Sequence, residues 1–154
     1  MPRVSALRSE PLRLLARQFR FASRRNALAA LDTLDTLAER IDPSRAHSSR
    51  WLVHELTGYT PEDANEEALF PGEAFVAELS ALAEHICAEI ALREDEVPGA
   101  LTVDDLAARW SVTRRTIERR RREGLVARRV GEGTGARLVF TLASVESFER
   151  RTGS

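Results

Sequence analysis

The chain has 154 residues, with 23 basic and 24 acidic side chains and a formal net charge of −1. That total alone argues against nucleic-acid binding, which usually rests on an excess of positive charge. Hydrophobic content of 43% is enough for a real core. Aromatic residues make up only 6%, so the core must come mainly from Leu, Ala, Val and Ile. A single cysteine, Cys87, excludes a disulfide framework and a multi-cysteine metal site. No apolar run approaches the ~18 residues of a membrane span, so no membrane partner is expected.

All 23 basic residues are arginine. A GC-rich genome suffices to explain that bias, but it has a physical consequence. Arginine stays charged and makes forked contacts to phosphate or guanine. The charge is also sorted along the chain. Residues 1–25 carry seven arginines and one acid, net +6. Residues 26–105 carry four arginines and eighteen acids, net −14, and residues 106–154 carry twelve arginines and five acids, net +7. A basic arm, an acidic middle and a basic end suggest modules with different partners, although most of the middle acids suit an ordinary solvated helix surface.

Leu12, Leu15, Phe19 and Ala22 predict an amphipathic helix over residues 11–22, with arginines on its other face. A docked helix with an exposed basic face is favoured there over a membrane or nucleic-acid arm. A mitochondrial transit peptide shares the Arg-rich, acid-poor composition but carries little weight, and arginines interrupt every apolar stretch a secretory signal would need. Leu28, Leu31, Leu34, Ala38 and Ile41 predict a second helix over 24–41, ended by Asp42-Pro43. Residues 44–57 read as a third, with Gly58 as C-cap, and residues 59–71 as a loop holding Pro61 and Pro71. Residues 72–92 read as a long helix with Phe75, Leu79, Leu82, Ile86 and Ile90 along one seam. Residues 1–92 are thus expected to be a helical lobe open to protein interaction, and the charged, Pro98-Gly99-containing residues 93–100 a linker.

The pattern changes at Leu101. Thr102 can cap a helix with Asp104 and Asp105 in its first turn and Leu106, Ala107 and Trp110 inward. Ser111-Val112 make a tight turn. Thr113 caps a second helix, 114–123, that stops at Gly124. Residues 125–130 and 137–142 read as strands joined by the Gly-rich 131–136, and Ser144 as the cap of a last helix with Val145 and Phe148 inward. The expected fold class is mainly α: a helical lobe followed by a small winged helix-turn-helix, residues 101–154, with a two-stranded wing.

On the second helix Ile117 is the core residue, and Arg114, Arg115, Glu118, Arg119 and Arg122 occupy the opposite face. Residues 109–129 carry nine arginines and two acids, net +7, suited to the dense charge of a duplex. Arg114, Arg115 and Arg119 are the candidates for base edges, with guanine preferred, and Thr113 and Thr116 belong to the same DNA-binding set. Arg122, Arg128, Arg129 and Arg137 are the candidates for phosphate. The competing reading is a protein-interaction module whose arginines face an acidic partner, including this chain's own middle lobe, which would mask the basic helix.

At these residues the chain resembles a known pattern. The run LTVDDLAARWSVTRRTI followed by GLVARR is similar to the winged helix-turn-helix of the excisionase and MerR-like group. It resembles more closely the N-terminal extension of a bacterial subset of RNA polymerase sigma factors. LARQFRFA (15–22), LTGYTPED (56–63) and LFPGEAF (69–75) agree with that extension, and together the pieces cover about residues 11–150. The resemblance implies a cytoplasmic bacterial protein in a transcription setting, with double-stranded DNA and RNA polymerase or another transcription protein as partners. The core-gripping and promoter-reading segments of similar sigma factors are not among these residues, so a complete sigma factor is not implied. The similar sequences carry an aromatic or aliphatic residue where this chain has Arg120, whose stem is expected to pack while its head reaches solvent.

No enzyme is expected. His47, His54 and His85 lack metal-ligand spacing, and His85 and Cys87 point to different faces of one helix. Gly131, Gly133 and Gly135 form G-x-G-x-G without the helix a phosphate loop needs, which suits a wing tip. Glu66-Glu67 and Asp104-Asp105 fall in a loop and at a helix start, and Trp51 and Trp110 on apolar helix faces. No catalytic, metal or cofactor residue is assigned.

Overall fold

The computed structural model describes residues 4–59 and 69–153. Residues 60–68, the middle of the expected 59–71 loop, lie outside them, as do Glu66 and Glu67. Among the described residues there are seven α-helices, a two-stranded sheet and a three-stranded sheet.

Helix α1 (Glu10–Gln18) buries Leu12 and Leu15 and ends earlier than the apolar spacing suggested, with Phe19 still buried beyond it. Helix α2 (Arg24–Leu37) is capped by Ser23, whose hydroxyl accepts from the Asn26 N–H, and it tightens into a 3-10 turn at Ala38–Arg40. The third helix is shorter than expected. Ala46–Ser48 form strand β1, and α3 (Ser49–Thr57) starts only after Ser48 caps it. The reason is long-range: β1 pairs antiparallel with β2 (Leu69–Pro71), placing His47 opposite Phe70. Gly58 ends α3 in the left-handed region at φ 73.

Helix α4 (Gly72–Ile90) is the central element, and Phe75, Leu79, Leu82 and Ile86 are buried along it. It touches α1 and α2. Gly72 is needed at its start, because a Cβ there would lie 2.1 Å from the Asp42 carbonyl oxygen.

Residues 93–100 are part of the packed body rather than a free linker. Glu94–Glu96 form a 3-10 turn and Val97 is buried. Glu96 accepts from the Arg24 Nε at 2.7 Å, and the same guanidinium donates to the Ile90 carbonyl at 2.6 Å. That places a cation on the open carbonyls ending α4, where the helix dipole favours it.

Strand β3 (Leu101–Thr102) leads into α5 (Val103–Trp110), a three-residue turn, and α6 (Arg114–Arg121). Strands β4 (Arg128–Val130) and β5 (Arg137–Phe140) form a hairpin, and α7 (Leu142–Thr152) closes the chain. The expected two-stranded hairpin is three-stranded, in the order β3-β5-β4. Leu101 lies opposite Phe140, and Arg129 opposite Leu138. The cap of α7 is Thr141, not Ser144: the Thr141 hydroxyl accepts from the Ser144 N–H at 3.0 Å. Ser144 is itself buried and donates to the Val126 carbonyl at 2.7 Å.

Two apolar clusters hold the molecule. The larger one joins α1–α4 and takes in Val126, Val130 and Val139 from the C-terminal part. The smaller one gathers Leu106, Ile117, Leu125, Phe140, Val145 and Phe148 around α5, α6 and α7. Because β4 packs on α4, the helical lobe and the C-terminal residues share a core.

Candidate nucleic-acid interface

The α5–α6 pair is fixed by local chemistry. Thr102 and Asp105 cap α5 reciprocally: the Asp105 N–H donates to the Thr102 hydroxyl at 3.0 Å and the Thr102 N–H to the Asp105 carboxylate at 2.9 Å. Ser111 ends α5 in the left-handed region at φ 54, and the Val112 N–H returns to the Ala107 carbonyl at 2.9 Å. Thr113 then caps α6, its hydroxyl accepting from the Thr116 N–H at 3.2 Å.

The inward face of α6 is chemically mixed. Ile117 is fully buried. One turn on, at i+4, Arg121 is also buried and ion-paired to the Glu84 carboxylate of α4. It donates as well to Glu118 at 2.7 Å and to the Ser80 hydroxyl at 3.2 Å. The Arg120 head does not escape to solvent. Its guanidinium carbon sits 4.9 Å from the centre of the Trp110 ring and 5.7 Å from that of Phe148. This cation–π stack does the work of an apolar side chain at that position. Trp110 is held in turn by Glu149, which accepts from its indole N–H at 2.8 Å and from Arg109 at 3.0 Å. Those bonds keep the Glu149 carboxyl below its ordinary value.

The outer face carries the predicted residues. Thr113, Arg114, Arg115, Arg119 and Arg122 are exposed and Thr116 is half-buried. Arg115, Arg119 and Arg122 follow at spacings of four and three, so they form one stripe. Arg114 meets Asp104 at 3.3 Å and Arg119 meets Glu123 at 3.7 Å, both as solvent-exposed pairs worth little. Arg115 and Arg122 are in no ion pair among the described residues. Arg137, at the start of β5, is partly exposed and paired with Glu94.

Two candidates are overturned. Arg128 and Arg129 are 4% and 5% exposed and cannot reach a phosphate. Strand β4 packs on α4 inside the fold, and both side chains are buried there. Arg128 turns toward α2, where it meets Asp32 at 2.8 Å and Asp35 at 2.7 Å, and Asp35 accepts a further bond from Thr141 at 2.8 Å. Burial raises the Asp35 carboxyl above its ordinary value even with Arg128 against it. The Arg129 backbone N–H bonds to the Cys87 thiol, and burial pushes that thiol up to about 12.

Acids of the middle block therefore have a structural use. Glu84, Asp32, Asp35, Glu94 and Glu39 pair with Arg121, Arg128, Arg137 and Arg150 of the basic end. This joins the two parts while leaving the Arg115–Arg119–Arg122 stripe uncovered. Arg121 was missed as an anchor although its i+4 spacing from Ile117 was available in the sequence.

The histidines are apart: the His47 ring packs 5.2 Å from that of Trp51, and His85 is bonded to the Ser5 carbonyl at 2.8 Å. Trp51 and Trp110 are half-buried against the two apolar clusters. No group of three or more His, Cys, Asp or Glu able to hold a metal occurs among the described residues, nor is any helix among them long and apolar enough to cross a membrane. The chain matches no protein-family model, no curated protein and no solved structure.

Proposed function

We propose that this chain binds double-stranded DNA in a transcription setting, with α5, α6 and the β4–β5 hairpin acting as a winged helix-turn-helix. The observation that carries the reading is the exposed arginine stripe of α6, set on a helix whose other face is locked by Ile117, Arg120 and Arg121. A rigid helix with its first turn free is what major-groove reading requires. Arg114, Arg115 and Arg119 are the base-edge residues, with Thr113 and Thr116 at the helix start, and Arg122 and Arg137 serve phosphate. The likeness to the N-terminal extension of sigma factors supports the transcription setting, a cytoplasmic location, and RNA polymerase or another transcription protein as the helical lobe's partner.

A fluorescence-anisotropy titration of the whole chain against GC-rich and random duplex tests this. Affinity is expected to fall steeply between about 50 and 200 mM salt as counterions are released. Arg115→Ala with Arg119→Ala is expected to weaken binding at least about tenfold, on the scale of one or two lost guanine contacts. No binding at the lower salt overturns the proposal. It would favour the second reading, a module whose stripe meets an acidic protein, a pairing Arg119 already makes with Glu123.

A further inference from the structure

A groove on the N-terminal part of the molecule is unused by the reading above. It consists of two adjoining cavities, of about 300 Å³ and about 420 Å³, that share Gln18 and Val53. The first runs between the end of α1, the start of α2 and the end of α3, over Phe19, Ala22, Ala29 and Leu56. The second continues between α1 and α3 over Leu12, Leu14, Leu52 and Phe75. Of the described residues lining either cavity, Glu10 alone is ionised.

Large apolar side chains stand out of this groove into solvent. Tyr59 lines one cavity and is 62% exposed, and Leu14 lines the other and is 48% exposed. Phe21, next in sequence to the lining Ala22, is 86% exposed. Folding a chain gains nothing from holding a phenylalanine in water, and clustered exposed apolar groups mark interaction sites.

Arginines outnumber free acids around the groove: Glu10 lies in its lining, and the nearby Glu55 and Asp32 are already paired with Arg40 and Arg128. Arg17 lies three residues after Leu14 on α1, and Arg25 lies four before Ala29 on α2, so both border the groove. Both are exposed, and neither is in an ion pair among the described residues. Arg20, beside Phe21, is exposed and only loosely paired, with Glu89 at 3.5 Å. A second copy of this chain would bring the same arginines against these, so like charges oppose self-association through this face. The concave floor is mostly apolar, its polar side chains being Gln18, Asn26, Thr57, Tyr59, Ser49 and Glu10, and it suits apolar anchors better than stacked bases.

We propose that this groove docks an acidic amphipathic helix of a partner protein, its apolar residues at i, i+3 or i+4 and i+7 lying between α1, α2 and α3 and its carboxylates meeting Arg17, Arg20 and Arg25. The proposal does not depend on DNA binding. The test uses the whole chain and a labelled helical peptide of about 16 residues, about 24 Å long. One version carries leucines on one face and glutamates elsewhere, and a second has lysine for every glutamate. The glutamate peptide is expected to bind at least about tenfold tighter than the lysine peptide, given the excess of arginines at the rim. Arg17→Glu with Arg25→Glu reverses that preference, and Phe21→Ser with Tyr59→Ser weakens the glutamate peptide without lowering the melting temperature. Equal affinity for both peptides, no binding of the glutamate peptide, or insensitivity to charge reversal overturns the proposal. So does a concentration-dependent dimer abolished by Leu14→Ser, or oligo-dT displacing the peptide.

Discussion

The guanidinium of Arg121 on α6 is ion-paired to the carboxylate of Glu84 on α4, with both side chains almost fully out of water. Glu84 is the only acid on α4 whose whole residue is inaccessible. The pair fixes the arginine-bearing helix against the central helix of the lobe. Its charge is therefore structural, although it is the same residue type as the stripe two faces away.

Arg121→Met leaves the Glu84 carboxylate buried without its cation and is expected to cost about 3–5 kcal/mol of stability. Combining it with Glu84→Leu should recover most of that loss, since a buried pair can be replaced by apolar groups with little cost. Urea unfolding of the two single variants and the double variant measures the coupling. Equal losses that simply add would show that the pair does not hold α6.

Arg128 and Arg119 are expected to separate stability from binding. Arg128→Met strands Asp35 in the core and should lower stability by several kcal/mol, about 3–5, as for other broken buried pairs. Arg119→Ala sits on the surface and should change stability by less than about 0.5 kcal/mol. In the DNA titration, Arg119→Ala should reduce affinity and relax sequence preference, whereas Arg122→Ala should weaken binding to all sequences and lower the salt slope by about 1. Measuring both properties on each variant checks the assignment.

The Cys87 thiol is pushed up to about 12 by burial, so at pH 8 almost none of it is thiolate in the folded protein. Alkylation or Ellman's reagent should leave the native chain unmodified over hours and label it fully in denaturant. The labelling rate then reports opening of the α4–β4 contact. Rapid labelling of the native protein would show that β4 is not held on α4.

Hydrogen bonding to Arg24 holds the Glu96 carboxyl low, at about 2. A carboxyl depressed in the folded state adds stability above its unfolded value of about 4.3, and that stability is lost as pH falls toward 2. Glu96→Gln should therefore lower the melting temperature at pH 7, with the gap from the parent chain closing between about pH 4.3 and 2. A gap independent of pH over that window would mean that the pair contributes nothing through its charge.

Local signals were well recorded in the sequence. The apolar spacing of Leu12, Leu15 and Phe19 and of Phe75, Leu79, Leu82 and Ile86 corresponds to buried stripes. Thr102, Thr113 and Gly58 end or begin helices as their chemistry dictates, because caps are satisfied within a few residues. The exposed stripe of α6 was legible for the same reason: helical spacing decides which side chains share a face.

What the sequence by itself determined was therefore the existence of the main helices, the caps of α5 and α6, and the arginine face of α6. Only the tertiary structure decided which arginines were left for a partner. Arg128 and Arg129 look no different from Arg119 in a charge count, yet both are buried where β4 packs on α4, and Arg128 meets Asp32 and Asp35 on α2. Strand β3, the β1–β2 pair and the docking of residues 93–100 were hidden likewise, because each depends on partners far along the chain. Part of the charge sorting has the same origin: Glu84, Asp32 and Asp35 of the middle block hold Arg121 and Arg128 of the C-terminal block inside the fold.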